Sequence, residues 1–127
     1  MPKESVATDR APGAKGPYSQ GIAVGDFLFL SGQIYLDPET GALIDGTIEE
    51  KTQRVMENLK AILEARGLGL ENLVKTTIFL TNMSDFSKVN EAYGRYFKGN
   101  PPARSTLEVR ALPLGAEIEI EAIAAGI

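Results

Sequence analysis

The sequence predicts an α+β domain whose elements run β, β-β hairpin, α, β, α, β, β. Three observations predict it. Glu117 to Ala124 sets glutamates against apolar residues with the period of two expected of a half-buried strand. Val55, Met56, Leu59, Ile62 and Leu63 recur at helical spacing behind a Thr47/Glu50 capping pair. Gly25-Asp26 separates two strand-like runs by the length of a tight hairpin. Helices in such an order pack on one face of a sheet. The 127 residues form a single domain, 1–127, with no internal repeat or linker.

The elements follow in order. Glu4 to Thr8 is a short strand, and Ala11 to Tyr18, with Pro12, Gly13, Gly16 and Pro17, is a loop. Ser19 to Val24 and Phe27 to Gln33 are the arms of the hairpin, with glycine at the first central position of the turn. Asp37 to Gly46 is turn-rich. The first helix starts at Thr47 and stops at Gly67, a natural C′ residue. Leu73 to Thr81 is rich in β-branched residues and forms a strand. Ser84 caps the second helix, Asp85 favours its dipole in the first turn, and Phe86, Val89, Tyr93 and Phe97 form its buried face. Arg104 to Val109 and Glu117 to Ala124 are the last two strands.

On the last strand Ile118, Ile120, Ala122 and Ala124 point one way, and Glu117, Glu119 and Glu121 the other. Phe27 to Gln33 is largely apolar on both faces, which implies cover on both. Helices supply one cover. The other is a partner chain or, alternatively, a bulky N-terminal segment.

Composition excludes several classes of function. Thirteen basic against seventeen acidic residues give a net charge of −4, the wrong balance for a nucleic-acid surface. The chain has no cysteine, hence no disulfide, thiolate zinc, iron–sulfur ligation or cysteine nucleophile, which fits a reducing compartment. It has no histidine, hence no Ser-His-Asp triad or imidazole metal site. Met1 to Val6 lacks the apolar core of a signal peptide, and no run approaches the ~20 apolar residues of a membrane span. The expected location is the cytoplasm. Asn82-Met83-Ser84 reads as a chance sequon, and Gly67-Leu68-Gly69 lacks the third glycine of a dinucleotide loop.

The candidate chemistry therefore rests on few residues. Arg104 follows Pro101-Pro102-Ala103, a stiff lead into its strand. A random arginine forms a surface ion pair more often than a site; a pre-positioned guanidinium offers a bidentate fork for a carboxylate. Thr106 shares its face. Glu119 belongs either to a solvated edge or, if the sheet meets another subunit, to a carboxylate that must find a partner, and it is a candidate general base. Asn90 lies on or beside the second helix's apolar stripe and is either a site amide or a boundary residue. Tyr18 can reach a ligand or simply pack its ring. Ser31-Gly32 ends an apolar strand where another backbone can approach.

Together, Gly16-Pro17-Tyr18-Ser19-Gln20, Ser31-Gly32-Gln33-Ile34, Val74-Lys75-Thr76-Thr77, Asp85-Phe86 through Asn90, Pro102-Ala103-Arg104-Ser105 and Ile118 to Ala124 resemble the Rid family, specifically the RidA-like enamine/imine deaminases. The likeness runs through nearly the whole chain in order. It implies a chorismate-mutase-like fold, with one mixed sheet, two helices on one face, and three subunits whose sheets meet in a homotrimer with sites between them. It implies hydrolysis of 2-aminoacrylate/2-iminopropanoate or 2-iminobutanoate to the 2-oxo acid and ammonia, without metal or organic cofactor. The family's carboxylate-binding arginine falls on Arg104, its tyrosine on Tyr18, its Ser-Gly on Ser31 and Gly32, its asparagine on Asn90 and its water-positioning glutamate on Glu119. Thr106, whose backbone would face the ligand, stands where many members carry cysteine. Two other functions share these residues or this resemblance: a trimeric binder of small carboxylic or 2-oxo acids, and an RNA-cleaving translation inhibitor, which the net acidity opposes.

Overall fold

The computed structural model of the chain describes residues 1–126. Six strands form one mixed sheet: β1 (Glu4–Val6), β2 (Gly21–Val24), β3 (Phe27–Gln33), β4 (Leu73–Leu80), β5 (Ala103–Glu108) and β6 (Ile118–Ala125). Their order across the sheet is β1-β2-β3-β6-β4-β5. Helices α1 (Ile48–Glu64) and α2 (Phe86–Gly94) cover one face. Only β4 and β5 run parallel, and α2 is the crossover that such a pair requires. No helix among the described residues is long and apolar enough to cross a membrane.

The hairpin forms as its turn chemistry predicts. Val24 pairs with Phe27, and Gly25 takes φ +57°, a left-handed value that costs glycine little. Helix α1 carries a complete capping box: Thr47 Oγ1 accepts from Glu50 N–H at 3.1 Å, and Glu50 Oε1 accepts from Thr47 N–H at 2.8 Å. At its other end Gly67, at φ +76°, lets Gly67 N–H reach the Glu64 carbonyl and Leu68 N–H reach that of Leu63. This is the paired closure of a Schellman motif.

Helix α2 begins differently from its prediction. Asn82, not Ser84, is the capping side chain: its Oδ1 accepts from Ser84 N–H at 3.0 Å and starts a one-turn 3₁₀ segment, Met83–Asp85, that leads into α2. Ser84 donates its own hydroxyl to Asn82 Oδ1. Two cap-competent residues stand two positions apart, and the earlier one wins because the extra turn begins there.

The core lies between sheet and helices. Val55, Met56, Leu59, Ile62 and Leu63 of α1 meet Leu28 and Leu30 of β3 and Ile118, Ile120, Ala122 and Ala124 of β6, all buried. The opposite face is bare within one chain, and the N-terminal segment does not cover it. Phe27 is 49% exposed, Phe29 43% and Leu107 40%.

One irregularity sets up the site. Leu30 of β3 pairs with Ala122 and Gln33 with Ile120, so β3 spends one more residue than β6 over the same span. The resulting bulge falls on Ser31-Gly32. Bulges bend the strand and re-aim side chains.

Candidate active site

Arg104, Thr106 and Glu108 of β5 share the helix-side face, aligned with Thr76, Ile78 and Leu80 of β4. Arg104 therefore extends over α2. Its Nη1 donates to Asn90 Oδ1 at 2.7 Å, and its guanidinium lies 5.5 Å from the Phe86 ring centroid and 5.3 Å from that of Tyr93. Tyr93 is fixed from below by a 2.7 Å hydrogen bond with the hydroxyl of Thr76, which is fully buried on β4. Burial pushes the Tyr93 phenol up in pKa, so it stays neutral under the cation. Among the described residues no carboxylate pairs with Arg104. Its partners are an amide and two rings, all uncharged, which hold the fork in place without neutralising it. The guanidinium and Thr106 open into a cleft of about 580 Å³ that Met83, Ser84, Phe86 and Ser87 complete.

Glu119 belongs to a second cluster. It lies on β6 opposite Phe79, on the face away from the helices. Half-burial, and to a lesser degree the charge of Glu121, hold its carboxyl above the usual carboxylate range. Gly32 sits directly against it, so that a Cβ there would overlap Glu119 Oε2. Ser31 adjoins both. Its hydroxyl donates to the Ser19 carbonyl at 2.6 Å and its N–H to the Gln20 carbonyl at 3.0 Å, tying the Tyr18 loop to β3. Tyr18 itself is 53% exposed, and its hydroxyl accepts only a long 3.4 Å bond from Lys15 N–H.

Within one chain the residues singled out from the sequence thus gather into two groups. Arg104, Asn90 and Thr106 are together; Glu119, Gly32 and Ser31 are together, with the Tyr18 loop attached. The groups occupy opposite faces, and β6 and β5 are two strand spacings apart, about 10 Å. A single small ligand cannot bridge them inside one subunit.

Several residues at or behind the site carry no such signal in sequence. Phe86 and Tyr93 read as plain core yet form the floor under Arg104. Gln20, buried, ties down the N-terminal loop: its Oε1 accepts from Thr8 N–H at 2.6 Å, and its Nε2 donates to the carbonyls of Thr8 and Pro12 at 3.0 and 2.7 Å. Asn58, fully buried on α1, donates to the carbonyls of Ile34 and Leu36 just beyond the bulge. Its position three residues after Val55, on the apolar stripe, is the signal that marks it.

A larger cavity, about 720 Å³, opens elsewhere, between the end of α1 and the chain after α2. Lys60 and Lys98 line it alongside Glu64 and Glu71, so its charges offset and converge on no ligand. The smaller cleft, with one unneutralised cation, is the better candidate.

Comparison with known proteins identifies the relatives of the chain. The family model described as Endoribonuclease L-PSP matches residues 8–126. The chain is 53% identical over 126 residues to Protein DfrA of Myxococcus xanthus, covering 98% of this chain and 96% of that one. It is 47% identical over 119 residues to the human 2-iminobutanoate/2-iminopropanoate deaminase, covering 94% and 87%. The solved structure of a Yersinia pestis protein of the conserved Rid family superposes with a TM-score of 0.96 at 48% identity, covering 98% and 100%.

Proposed function

Since this chain belongs to the Rid family, we propose that it is a hydrolytic enamine/imine deaminase, converting 2-aminoacrylate/2-iminopropanoate and 2-iminobutanoate to 2-oxo acids and ammonia. The observation that carries the reading is Arg104, a guanidinium held by Asn90 and two rings and left without a counter-charge beside an open cleft. Such a group is a receptor for a small carboxylate.

Arg104 binds the substrate carboxylate as a bidentate pair, worth about 1.5–3 kcal/mol. Backbone groups at Thr106 hold the nitrogen end. The Glu119 carboxylate takes a proton from water as its oxygen adds to the iminium carbon. That proton passes to nitrogen; Glu119 then takes the proton of the added hydroxyl as the C–N bond breaks and the C=O forms, so that ammonia leaves, the 2-oxo acid remains and the carboxyl returns its proton to solvent. A carboxyl held above its usual range is closer in proton affinity to the groups it exchanges with. The substrate hydrolyses unaided in water, so placement against a fixed base supplies much of the needed acceleration.

The two groups of residues join when a second copy brings its Tyr18, Ser31, Gly32 and Glu119 to the Arg104 cleft of the first. In a ring of three, each subunit gives one half-site and receives the other, and the bare face with Phe27, Phe29 and Leu107 is the surface that association would bury. This is the chorismate-mutase-like trimer, with cytoplasmic location expected.

Generating 2-aminoacrylate from serine with a pyridoxal-dependent dehydratase and following pyruvate tests the reading. Release faster than the spontaneous rate supports it. Saturable binding of 2-oxo acids without acceleration points instead to a sensor. The family description also names an endoribonuclease, but a net charge of −4 and the absence of histidine weigh against it. Salt-dependent RNA binding followed by cleavage would favour that alternative.

A further inference from the structure

We propose that the Thr106 hydroxyl selects substrates, favouring 2-imino acids that carry a hydroxyl on the third carbon over those that end in a methyl. The inference rests on the deaminase reading and deepens it.

Thr106 Oγ1 is buried and has no hydrogen-bond partner, alone in this among the buried side-chain oxygens and nitrogens of the described residues. Four of the chain's other buried polar side chains show how such groups are matched. Thr52 donates to the Ile48 carbonyl, Thr76 pairs with Tyr93, and Asn58 and Gln20 are each bonded through both ends of the amide. An orphan in this company calls for a partner that arrives later.

The place of the orphan says what arrives. Thr106 follows Arg104 by two residues on the same face, and both line the cleft. Their Cα atoms are about 6.7 Å apart along the strand. A ligand whose carboxylate is on Arg104 and whose nitrogen is held by the Thr106 backbone places its second and third carbons beside Thr106. The hydroxyl is turned away from solvent. A turn about χ1 is what would bring it to a ligand in the cleft.

Two polar neighbours are already engaged: Ser84 donates to Asn82 Oδ1 at 2.7 Å, and Glu108, next on the face, accepts from Met83 N–H at 2.8 Å. Ser87, also at the cleft, is exposed, so Thr106 alone holds a buried hydroxyl in want of a partner. A hydroxyl on the substrate can both donate to and accept from Thr106. A methyl leaves the orphan as it was, and a site built around an unpaired polar group discriminates against such a ligand.

D-Amino-acid oxidase with catalase makes 3-hydroxy-2-iminopropanoate from D-serine and 2-iminopropanoate from D-alanine, and semicarbazide trapping follows the decay of each. We expect the kcat/KM ratio, hydroxyl over methyl, to fall about tenfold in Thr106→Val, the size of one lost hydrogen bond. Thr106→Ser restores the ratio. Thr106→Val also melts higher than wild type without ligand, because it removes an unpaired buried hydroxyl. An unchanged ratio in Thr106→Val overturns the inference while leaving the deaminase reading intact. Turnover of neither imine by the wild type defeats the deaminase reading itself. In that event calorimetry with hydroxypyruvate and pyruvate decides the selection: a tenfold preference lost in the valine variant supports it, and equal affinities overturn it.

Discussion

Gly32 and Glu119 face each other across the β3 bulge so closely that any side chain at Gly32 would occupy the space of the Glu119 carboxylate. The constraint is volume, since Gly32 is not among the residues with positive φ. Gly32→Ala should therefore displace Glu119 without unfolding the strand. Misplacing a base by about 1 Å costs on the order of 10²-fold in rate. We expect that loss in imine hydrolysis, with the circular dichroism spectrum unchanged. Full activity in the alanine variant would remove Glu119 from the reaction.

Glu119 also ties function to stability through pH. Burial and the neighbouring Glu121 raise its folded-state pKa above the unfolded value. The stability linked to that proton is fully present below the ordinary carboxylate pKa, about 4.3, and is lost as pH rises through the raised value. Glu119→Gln should thus be more stable than wild type at neutral pH and equal to it in acid, while hydrolysis slows sharply. In the wild type, activity should rise with pH through the same window as the base ionises. Glu121→Gln should move that rise to lower pH. Urea titrations at two pH values and a pH–rate profile check both signs.

Much of the fold is legible in the sequence because local signals agree with the tertiary result. The Thr47–Glu50 box, the Gly67 stop, the Gly25-Asp26 turn and the alternation on β6 each describe a short segment and are fulfilled there. What is not legible depends on register between distant segments. The bulge at Ser31-Gly32 exists only in relation to β6, and the split of Arg104 from Glu119 onto opposite faces follows from the registers of β5 and β6 on β4. Phe86 and Tyr93 give the same periodic signal whether they meet aliphatic core or carry a cation.

Asn58 offers a test of the scaffold alone. It is fully buried, donates to the Ile34 and Leu36 carbonyls at 3.2 and 2.9 Å, and accepts from Arg54 Nε and Nη2 at 3.2 and 3.0 Å. Asn58→Ala strands two carbonyls and opens a small void. We expect a loss of about 2–4 kcal/mol in denaturant unfolding, with Asn58→Asp no better because a buried carboxylate cannot donate to carbonyls. A loss below about 0.5 kcal/mol would mean water replaces the amide.

Arg104→Lys keeps the charge and removes the fork. The guanidinium spends one N–H on Asn90 and lies over the rings of Phe86 and Tyr93, which leaves its remaining donors for a carboxylate. An ammonium is a compact point charge and does not reproduce the paired geometry. A single charged contact in place of a bidentate pair forfeits about half of its worth, roughly 0.75–1.5 kcal/mol, so kcat/KM should fall roughly 3- to 15-fold. Stability should change little, because Arg104 is exposed and pairs with no carboxylate among the described residues. The loss should appear in the affinity for an unreactive 2-oxo acid as well as in turnover, since the arginine holds the end of the substrate that does not react. Wild-type affinity in the lysine variant would place the carboxylate elsewhere.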